Sequence, residues 1–453
     1  DSSTANRPMG AIRTIIKRDG QLVWYDRSRI TNAIFKAAAA SSGGFSFEEA
    51  ERLALLVEKR TAESYVELIP TVEDLQDIVE AVLMENGHIK AARAYIIYRQ
   101  KRTEIREAKQ GAVEATDNIP YKLIYEVLRW NMEHGCESIE GINRIIEEGS
   151  YPDLVMACEE RYANECRAAG KRVLDHGDGV RLVIVAGPSS SGKTTTTIKM
   201  KQQLSRHGKK LKAFHVDNYF FDLEDHPMDE FGDYDYETPQ ALDIELINKH
   251  LEQLLAGKSV KTPHYDFHTG KRTLNVYEMH LEDNEILLMD CLHGLYSDMT
   301  RSVADAHKFR LYIETLGQLR KGNDEFMRWT DHRLMRRMIR DSWSRSHDPM
   351  LTLTHWHYVR KSELQYIIPF IGNVDFVVNS AMPYEFPVLK NKLFRHFPEA
   401  IQLYRDDFKR QDAFLRAQRV MQFLEPLNDA VDLSCIPEDA LFREFIGDSV
   451  YQY

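Results

Sequence analysis

The stretch Leu182-Val183-Ile184-Val185-Ala186, followed by Gly187-Pro188-Ser189-Ser190-Ser191-Gly192-Lys193-Thr194, decides the fold. Five consecutive apolar residues are typical of a buried strand in a parallel sheet. The next eight residues match GxxxxGK[ST], in which small residues let backbone N–H groups turn inward and cradle phosphate oxygens. A helix that begins near Lys193 directs its positive end at the same place. The pattern therefore predicts a phosphate-binding loop (P-loop) between a strand and a helix.

Apolar runs elsewhere in the chain extend this pattern. Runs at 211–216, 285–289, 309–313 and 376–378 predict further parallel strands. Upstream, Asp19-Gly20 separates two short apolar runs, which predicts a β-hairpin because Gly tolerates the positive φ of a tight turn. Four helices are predicted after it by their periodicity and capping residues. The expected fold is α/β: a parallel sheet flanked by helices and preceded by a mainly helical domain with a β-hairpin.

These patterns divide the chain into four segments. A length of 453 residues is too great for one ordinary core, so several units are expected. We place a first domain at 12–106, a helical linker without a chemical motif at 107–179, the P-loop domain at 180–385 and a helical appendage at 386–453.

Composition excludes several classes of protein. Hydrophobic residues make up 43% of the chain and charged residues 28%, and the formal net charge is −11 at pH 7. No excess of Lys and Arg exists to neutralise nucleic-acid phosphates. The five cysteines form no CxxC pair, which speaks against a zinc ribbon or a disulfide framework. The sequence contains no apolar run of about 18 residues and no signal-peptide core. We therefore expect a cytoplasmic protein with no membrane or nucleic-acid partner.

Two carboxylates follow predicted strands. Asp217 lies just beyond the second predicted strand, and Asp290 ends the third. Because the carboxyl ends of parallel strands face the ligand crevice, we expect Asp217 to accept a hydroxyl proton and Asp290 to hold Mg²⁺ with Thr194. Lys193 would neutralise charge on the β- and γ-phosphates. The alternative is that each Asp only caps the turn after its strand.

A cationic cluster marks a helix further along the chain, at Arg333, Arg336, Arg337, Arg340 and Arg345. Arg333, Arg337 and Arg340 recur at i, i+4 and i+7 and so share one helical face. Arginine suits the planar recognition of phosphates, which predicts a lid that closes over ATP. The alternative is an ordinary solvated face paired with Asp331 and Asp341.

Together these residues resemble the uridine kinase/phosphoribulokinase family over about 182–389. The elements that carry the resemblance are Gly187 to Thr195, Asp217-Asn218-Tyr219-Phe220, Pro263-His264-Tyr265-Asp266-Phe267, Asp290 and Arg336-Arg337-Met338-Ile339-Arg340-Asp341. The resemblance implies a kinase that uses ATP and Mg²⁺ to phosphorylate a hydroxyl of a small molecule. It makes Asp217 the catalytic base, assisted by Lys193 and Arg340. The implied ATP site comprises Gly187, Ser189, Ser190, Ser191, Gly192, Lys193, Thr194, Thr195, Arg336 and Arg337.

The acceptor site implied by the resemblance comprises Tyr219, Glu237, Tyr265 and Arg272, and it departs from uridine kinases. Glu237, in Tyr236-Glu237-Thr238-Pro239, stands where they carry a ribose-holding Asp, and Gly270 stands where they place a base-contacting His. Losing such a group argues for a changed acceptor. A nucleoside such as uridine and a sugar, sugar phosphate or polyol both stay open. Longer bacterial uridine-kinase-like proteins share the tail pattern from Ile436-Pro437 to Gly447.

The N-terminal segment resembles the ATP-cone, a regulatory nucleotide-binding module, over nearly all of 12–106. Lys17-Arg18-Asp19-Gly20, Tyr25-Asp26-Arg27-Ser28-Arg29-Ile30 and the stretch 91–101 carry this resemblance. It implies that Lys17, Arg18 and Arg29 contact a regulatory ATP or dATP, and that the module changes a homo-oligomer. A degenerate cone kept only for packing or oligomerisation is the alternative.

A second reading of the whole chain is a non-catalytic nucleotide sensor or transcriptional regulator. Repressors that carry such cones also carry a four-cysteine zinc ribbon, which the five cysteines of this chain do not form. Asp217 together with Lys193 favours catalysis over sensing.

Overall fold

The computed structural model describes residues 12, 14–16, 22–41, 44–65, 69–109, 120–227, 238–322, 325–344, 348–407 and 410–451. The chain divides into two compact units. The first unit comprises residues 1–114 and 403–411, and the second comprises residues 115–402 and 412–453.

The first unit is a β-hairpin followed by four helices. Its elements are β1 (Thr14–Ile16), β2 (Leu22–Trp24), α1 (Arg27–Ala39), α2 (Phe47–Ser64), α3 (Val72–Glu85) and α4 (Ile89–Lys109). The two strands pair antiparallel, as predicted, while the Asp19-Gly20 turn lies outside the described residues. Thr71 begins α3 with a capping box, in which its side chain and that of Asp74 satisfy each other's backbone N–H groups. Local capping thus explains why α3 begins at Val72.

Residues 403–411 return to this first unit from the far end of the chain. The Arg405 guanidinium lies 3.5 Å from Glu48 and 3.9 Å from Glu51. The Phe47 backbone N–H donates to the Asp406 carboxylate at 3.4 Å. A segment more than 350 residues away in sequence therefore helps to cap the start of α2 and to neutralise its two glutamates.

The second unit contains a central sheet and two short ribbons. Its strands are β3 (Leu182–Ala186), β4 (Lys210–Ala213), β5 (Val260–Asp266), β6 (Lys271–Met279), β7 (Glu285–Asp290), β8 (Lys308–Glu314), β9 (Arg320–Lys321), β10 (Glu325–Phe326) and β11 (Phe376–Asn379). The central sheet has the order β11-β8-β3-β7-β4, and all its neighbouring strands are parallel. All five residues of β3 are buried at its centre. The predicted parallel sheet is confirmed.

Helices surround this sheet. They are α5 (Tyr121–Glu133), α6 (Ile139–Glu147), α7 (Tyr151–Asp175), α8 (Lys193–Arg206), α9 (Ile244–Leu255), α10 (Trp329–Ser344), α11 (Pro349–Tyr366), α12 (Glu385–Leu393), α13 (His396–Tyr404), α14 (Gln411–Leu424) and α15 (Arg443–Ile446). None of the helices in the described part of the chain is long and apolar enough to cross a membrane.

Three local features differ from the sequence prediction. Strand β4 ends at Ala213 instead of 216, because a 3₁₀ turn at Val216–Tyr219 takes over. Strand β7 lies between β3 and β4 in the sheet, although β4 is the next strand after β3 in the sequence. The antiparallel pair β5 and β6 was not predicted, although Gly270 at φ 67° marks the turn between its strands. The turn after β4 is what carries Asp217 toward the site.

Helix α7, in the predicted linker, packs against the central sheet through polar contacts. The Tyr162 hydroxyl lies 2.6 Å from the Thr196 hydroxyl of α8, and both residues are buried. The Asn379 backbone N–H, at the end of β11, donates to Glu165 at 2.6 Å. Burial raises the pKa of Glu165 to about 7, against the opposing effects of Arg161 and of the Asn379 hydrogen bond.

Replacing Glu165 with Gln is expected to raise stability at pH 8 by on the order of 1–3 kcal/mol. Between about pH 4.5 and 7 the folded state binds more protons at Glu165 than the unfolded state, so wild-type stability falls as pH rises through that window. Gln keeps an oxygen that can accept from Asn379. Melting temperatures at pH 5 and pH 8 check this, with Glu160→Gln on the exposed face as control. An unchanged pH slope in Glu165→Gln would contradict it.

Candidate functional site

A cavity of about 380 Å³ lies where β3 and β7 end. We call it the P-loop cavity. Its polar lining consists of Ser189, Ser190, Lys193, Thr194, Asp217, Asp290, His293, Arg337, Arg340 and Glu444. Apolar side chains, among them Phe220, Leu242 and Phe267, line the rest. The cavity therefore combines phosphate-binding and carboxylate groups with an apolar wall.

The P-loop folds as its glycines require. Gly192 precedes α8 at φ 90°, and Ser190 adopts φ 60°. A Cβ at Gly187 would lie 2.4 Å from the Ile313 carbonyl oxygen, so only Gly fits that close approach. These turns aim the first N–H groups of α8 into the cavity, where they form an anion site.

Side chains of the loop add further donors at the same place. The Lys193 ammonium donates to the Pro188 carbonyl at 3.2 Å, which holds the lysine over the loop. The buried hydroxyls of Ser190 and Ser191 have no hydrogen-bond partner among the described residues. Hydroxyls buried in a phosphate-binding loop are suited to donate to phosphate oxygens.

Two carboxylates face the loop from neighbouring strand ends. Asp217 reaches the cavity from the turn after β4, and Asp290 is the last residue of β7. Burial raises the pKa of Asp290 to about 6, while Lys193 opposes the rise and the Glu444 and Asp217 carboxylates add to it. Asp290 is therefore a buried carboxylate that two other carboxylates repel, and a cation bound beside it would relieve that repulsion.

The donor set at this point fits Mg²⁺. Thr194 and Asp290 present a hydroxyl and a carboxylate, which are the hard oxygen ligands that Mg²⁺ prefers. The described residues contain no cluster of three His, Cys, Asp or Glu side chains that could hold a metal by itself. Mg²⁺ commonly takes one or two protein ligands and completes its shell with phosphate and water oxygens. Thr194 and Asp290 suffice for a site of that kind.

The arginines of α10 separate into two pairs. Arg337 and Arg340 line the cavity, and Arg337 donates to the Ser189 hydroxyl at 3.2 Å. Both also contact Asp341, at 3.3 and 2.8 Å respectively. The two are placed to meet a polyphosphate bound on the loop.

The other two described arginines of α10 are buried in ion pairs. Arg333 pairs with Glu363 at 2.5 Å. Arg336 is fully buried and pairs with Glu385 at 2.6 Å. Arg333 was predicted to share the cavity-facing side and Arg336 to bind ATP, but neither lines the cavity. Both donate to carbonyl oxygens of the P-loop, Arg333 to Ser189 at 3.1 Å and Arg336 to Ser190 at 3.4 Å. Arg345 lies outside the described residues.

The predicted acceptor residues are not brought together in this cavity. Tyr219 is buried and its hydroxyl lies 2.8 Å from His250 Nδ1. Tyr265 is also buried, among the apolar residues of the core. Arg272 donates to Asp243 at 2.9 Å. Glu237 lies outside the described residues.

Phe220, Phe267 and Glu444 line the cavity but were not predicted as site residues. The two aromatics stand inside motifs that were recognised, but no sequence pattern favoured Phe220 over Tyr219. Glu444 accepts hydrogen bonds from both the backbone N–H and the hydroxyl of Thr195, at 3.0 and 2.7 Å. A separation of 249 residues lies between the two, so no local spacing could have revealed this contact.

The predicted regulatory residues are described only in part. Arg29 is exposed on the first turn of α1 and lies 3.4 Å from Asp26. Asp26 caps α1 by accepting from the Ser28 backbone N–H at 3.0 Å. Lys17 and Arg18 lie outside the described residues. One cation and a helix N-terminus thus stand where a regulatory triphosphate is predicted.

Comparison with known proteins matches both parts of the chain. Residues 13–104 match the model of the ATP cone domain, and residues 182–385 match that of the Phosphoribulokinase / Uridine kinase family. A uridine kinase of Halobacterium salinarum is 25% identical over 195 residues, covering 43% of this chain and 77% of that protein. A uridine kinase of Limosilactobacillus reuteri is 28% identical over 196 residues, covering 43% and 80%.

Solved structures include the "Structure of a Possible Uridine Kinase from Bacillus stearothermophilus", at 18% identity and a TM-score of 0.34 over 48% of this chain and 98% of that one. The chain therefore carries an ATP-cone domain followed by a domain of the phosphoribulokinase/uridine kinase family.

Proposed function

We propose that the protein is an ATP-dependent kinase that transfers the γ-phosphoryl group to a hydroxyl of a small molecule. The observation that carries the proposal is the P-loop cavity, in which Asp217 shares one space with Lys193, Thr194 and the two arginines. A binding module needs the loop but has no use for a strand-end carboxylate opposite it. A phosphoryl transferase needs both, because it must position the attacking oxygen and stabilise charge on the transferred group.

Each side chain has a distinct part in this reaction. Lys193 and the loop N–H groups bind the β- and γ-phosphates, and Thr194 and Asp290 hold Mg²⁺. Mg²⁺ would supply neutralisation of the phosphate charge. Asp217 accepts the proton of the attacking hydroxyl. Arg340 and Arg337 then offset the charge that spreads over the transferred group.

The acceptor binds beside the apolar wall formed by Phe220, Leu242 and Phe267. Such a wall suits the flat face of a base and the apolar face of a sugar alike. At Gly270, a Cβ would lie 2.8 Å from the Leu223 side chain, so no larger residue fits there to contact a base. Both acceptor classes, nucleosides such as uridine and sugars or polyols, are therefore proposed for testing.

An ADP-release screen across nucleosides, sugars, sugar phosphates and polyols tests the activity. We expect one chemical class to stimulate ADP release in the wild type and not in Asp217→Ala. If no acceptor raised turnover above that variant, the kinase proposal would fail and a nucleotide sensor would become the better reading.

The first unit, in this proposal, senses ATP or dATP and biases the kinase, with a change of homo-oligomer as the means. Two nucleotide-binding modules in one chain support it. So does connectivity: residues 403–411 belong to the first unit, while the residues before and after them belong to the second. The chain thus passes between the units three times.

Replacing Arg29 with Ala is expected to weaken the ATP or dATP response about tenfold, because one charge-assisted contact to a phosphate is lost. Arg27→Ala is the matched control, since Arg27 already forms a salt bridge with Glu58 at 3.2 Å. The measurement is kinase rate against dATP at fixed ATP. Equal dATP midpoints in the wild type and Arg29→Ala would rule out this role for Arg29.

A further inference from the structure

A segment near the C-terminus, residues 436–447, lies against the start of α8. We call it the tail. Its Glu444 accepts from the Thr195 backbone N–H at 3.0 Å and from the Thr195 hydroxyl at 2.7 Å. Glu444 is 7% exposed and also lines the P-loop cavity. A carboxylate from the far end of the chain therefore sits on the first turn of the P-loop helix.

Thr195 is the third residue of α8, so its N–H is one of the first-turn donors that a helix leaves without an internal partner. In a P-loop these donors hold phosphate oxygens. Lys193 reaches toward the β- and γ-phosphates, which leaves the phosphate nearest the nucleoside for the following residues of the helix. A carboxylate oxygen and a phosphate oxygen are both anionic acceptors and cannot share this N–H.

We propose that Glu444 occupies the position of a nucleotide phosphate, so that the tail is a built-in competitor which a nucleotide must displace. The proposal rests on the proposed function, because it requires a nucleotide on the loop. It deepens that function by adding an autoinhibitory contact within the same site. Charge strengthens the competition: the Glu444 carboxylate lines the same cavity, and its negative charge repels a phosphate that approaches the Thr195 N–H.

Contacts other than Glu444 hold the tail at the loop. Leu441 packs on Gly192, where a Cβ would lie 2.7 Å from its side chain. The Trp343 indole donates to the Phe445 carbonyl at 2.6 Å. Lys199 pairs with Asp439 at 3.3 Å. Removing the Glu444 carboxylate alone therefore leaves the tail anchored. The effect of this substitution on nucleotide binding can then be separated from unfolding of the tail.

A purely structural role would give different results. As a cap for α8, Glu444 would only stabilise the helix, and its loss would leave nucleotide affinity unchanged or lower it. As a competitor, its loss raises the affinity. The sign of the change in affinity therefore distinguishes the two roles.

The experiment is ADP binding to the full chain by titration calorimetry, comparing wild type, Glu444→Gln and Glu438→Gln. Glu438 is an exposed carboxylate of the same tail, which makes it the matched control. Binding that disappears in Lys193→Ala defines the P-loop site and separates it from the first unit. We expect Glu444→Gln to bind ADP about tenfold more tightly at that site, because a charged hydrogen bond no longer has to be broken, and Glu438→Gln to match wild type.

Hydrogen exchange on the wild type gives an independent readout. Saturating ADP is expected to increase exchange at the backbone amides of 443–447 while it protects the loop. Unchanged or weaker ADP binding in Glu444→Gln, or protection of the tail by ADP, would overturn the tail proposal and leave the kinase proposal standing. Absence of any Lys193-dependent ADP binding in all variants would overturn both.

Discussion

Replacing Asp217 with Asn is expected to lower kcat by about 10²- to 10⁴-fold, the usual contribution of a general base. Asn keeps the size and polarity of the side chain but cannot take a proton from the attacking hydroxyl. Asp217 faces Lys193 and Thr194 across the P-loop cavity, so its loss affects the transfer step and not the binding of ATP. The measurement is the rate of ADP release with the acceptor that the screen identifies.

Asp225→Asn is the matched control for this variant. Asp225 is exposed eight residues further along and makes the same change of charge outside the cavity. We expect its kcat to match wild type, while both variants keep wild-type ADP affinity. If kcat of Asp217→Asn stayed within about threefold of wild type, Asp217 would not be the general base. The rate enhancement would then come from positioning of the reactants alone.

The parts of the site that the sequence predicted are those encoded over short distances. The run Leu182 to Ala186 reads as a buried strand, and the following glycines permit one loop conformation, so β3, the loop and the start of α8 appear where they were expected. Asp290 could be placed because it ends a strand parallel to β3. These inferences need only the period of a strand and the steric demands of glycine.

The parts that were not predicted depend on partners far along the chain. Periodicity places Arg333, Arg337 and Arg340 on one face of α10, but it cannot show that Glu363 would bury the first of them. Arg336 and Arg337 are adjacent and chemically identical, yet one pairs with Glu385 in the interior and the other contacts Ser189 at the cavity. Long-range ion pairs thus separate structural from phosphate-facing arginines.

The pair formed by Arg336 and Glu385 is expected to be worth most to stability. Both side chains are fully buried, and Arg336 also donates to the Ser380 carbonyl at 2.6 Å. Although burial opposes it, the attraction of Arg336 and His332 holds the pKa of Glu385 below its usual range. Removing Arg336 leaves the buried Glu385 carboxylate without its guanidinium partner, although His332 still lies 2.7 Å from it. We therefore expect Arg336→Met to lose about 3–5 kcal/mol of unfolding free energy.

Arg337→Met, one position along the same helix, is the control, because it removes an arginine that lines the cavity instead of a buried one. Arg337 is partly exposed at the cavity and contacts Ser189, so its loss should cost less than about 1 kcal/mol of stability and weaken ADP binding about tenfold. Denaturant unfolding and calorimetry on both variants measure the two quantities. If Arg336→Met kept wild-type stability and lost ADP affinity, Arg336 would be a nucleotide ligand. In that case the buried pair would have to open when a nucleotide binds, because in its present position the guanidinium is fully engaged by Glu385 and Ser380.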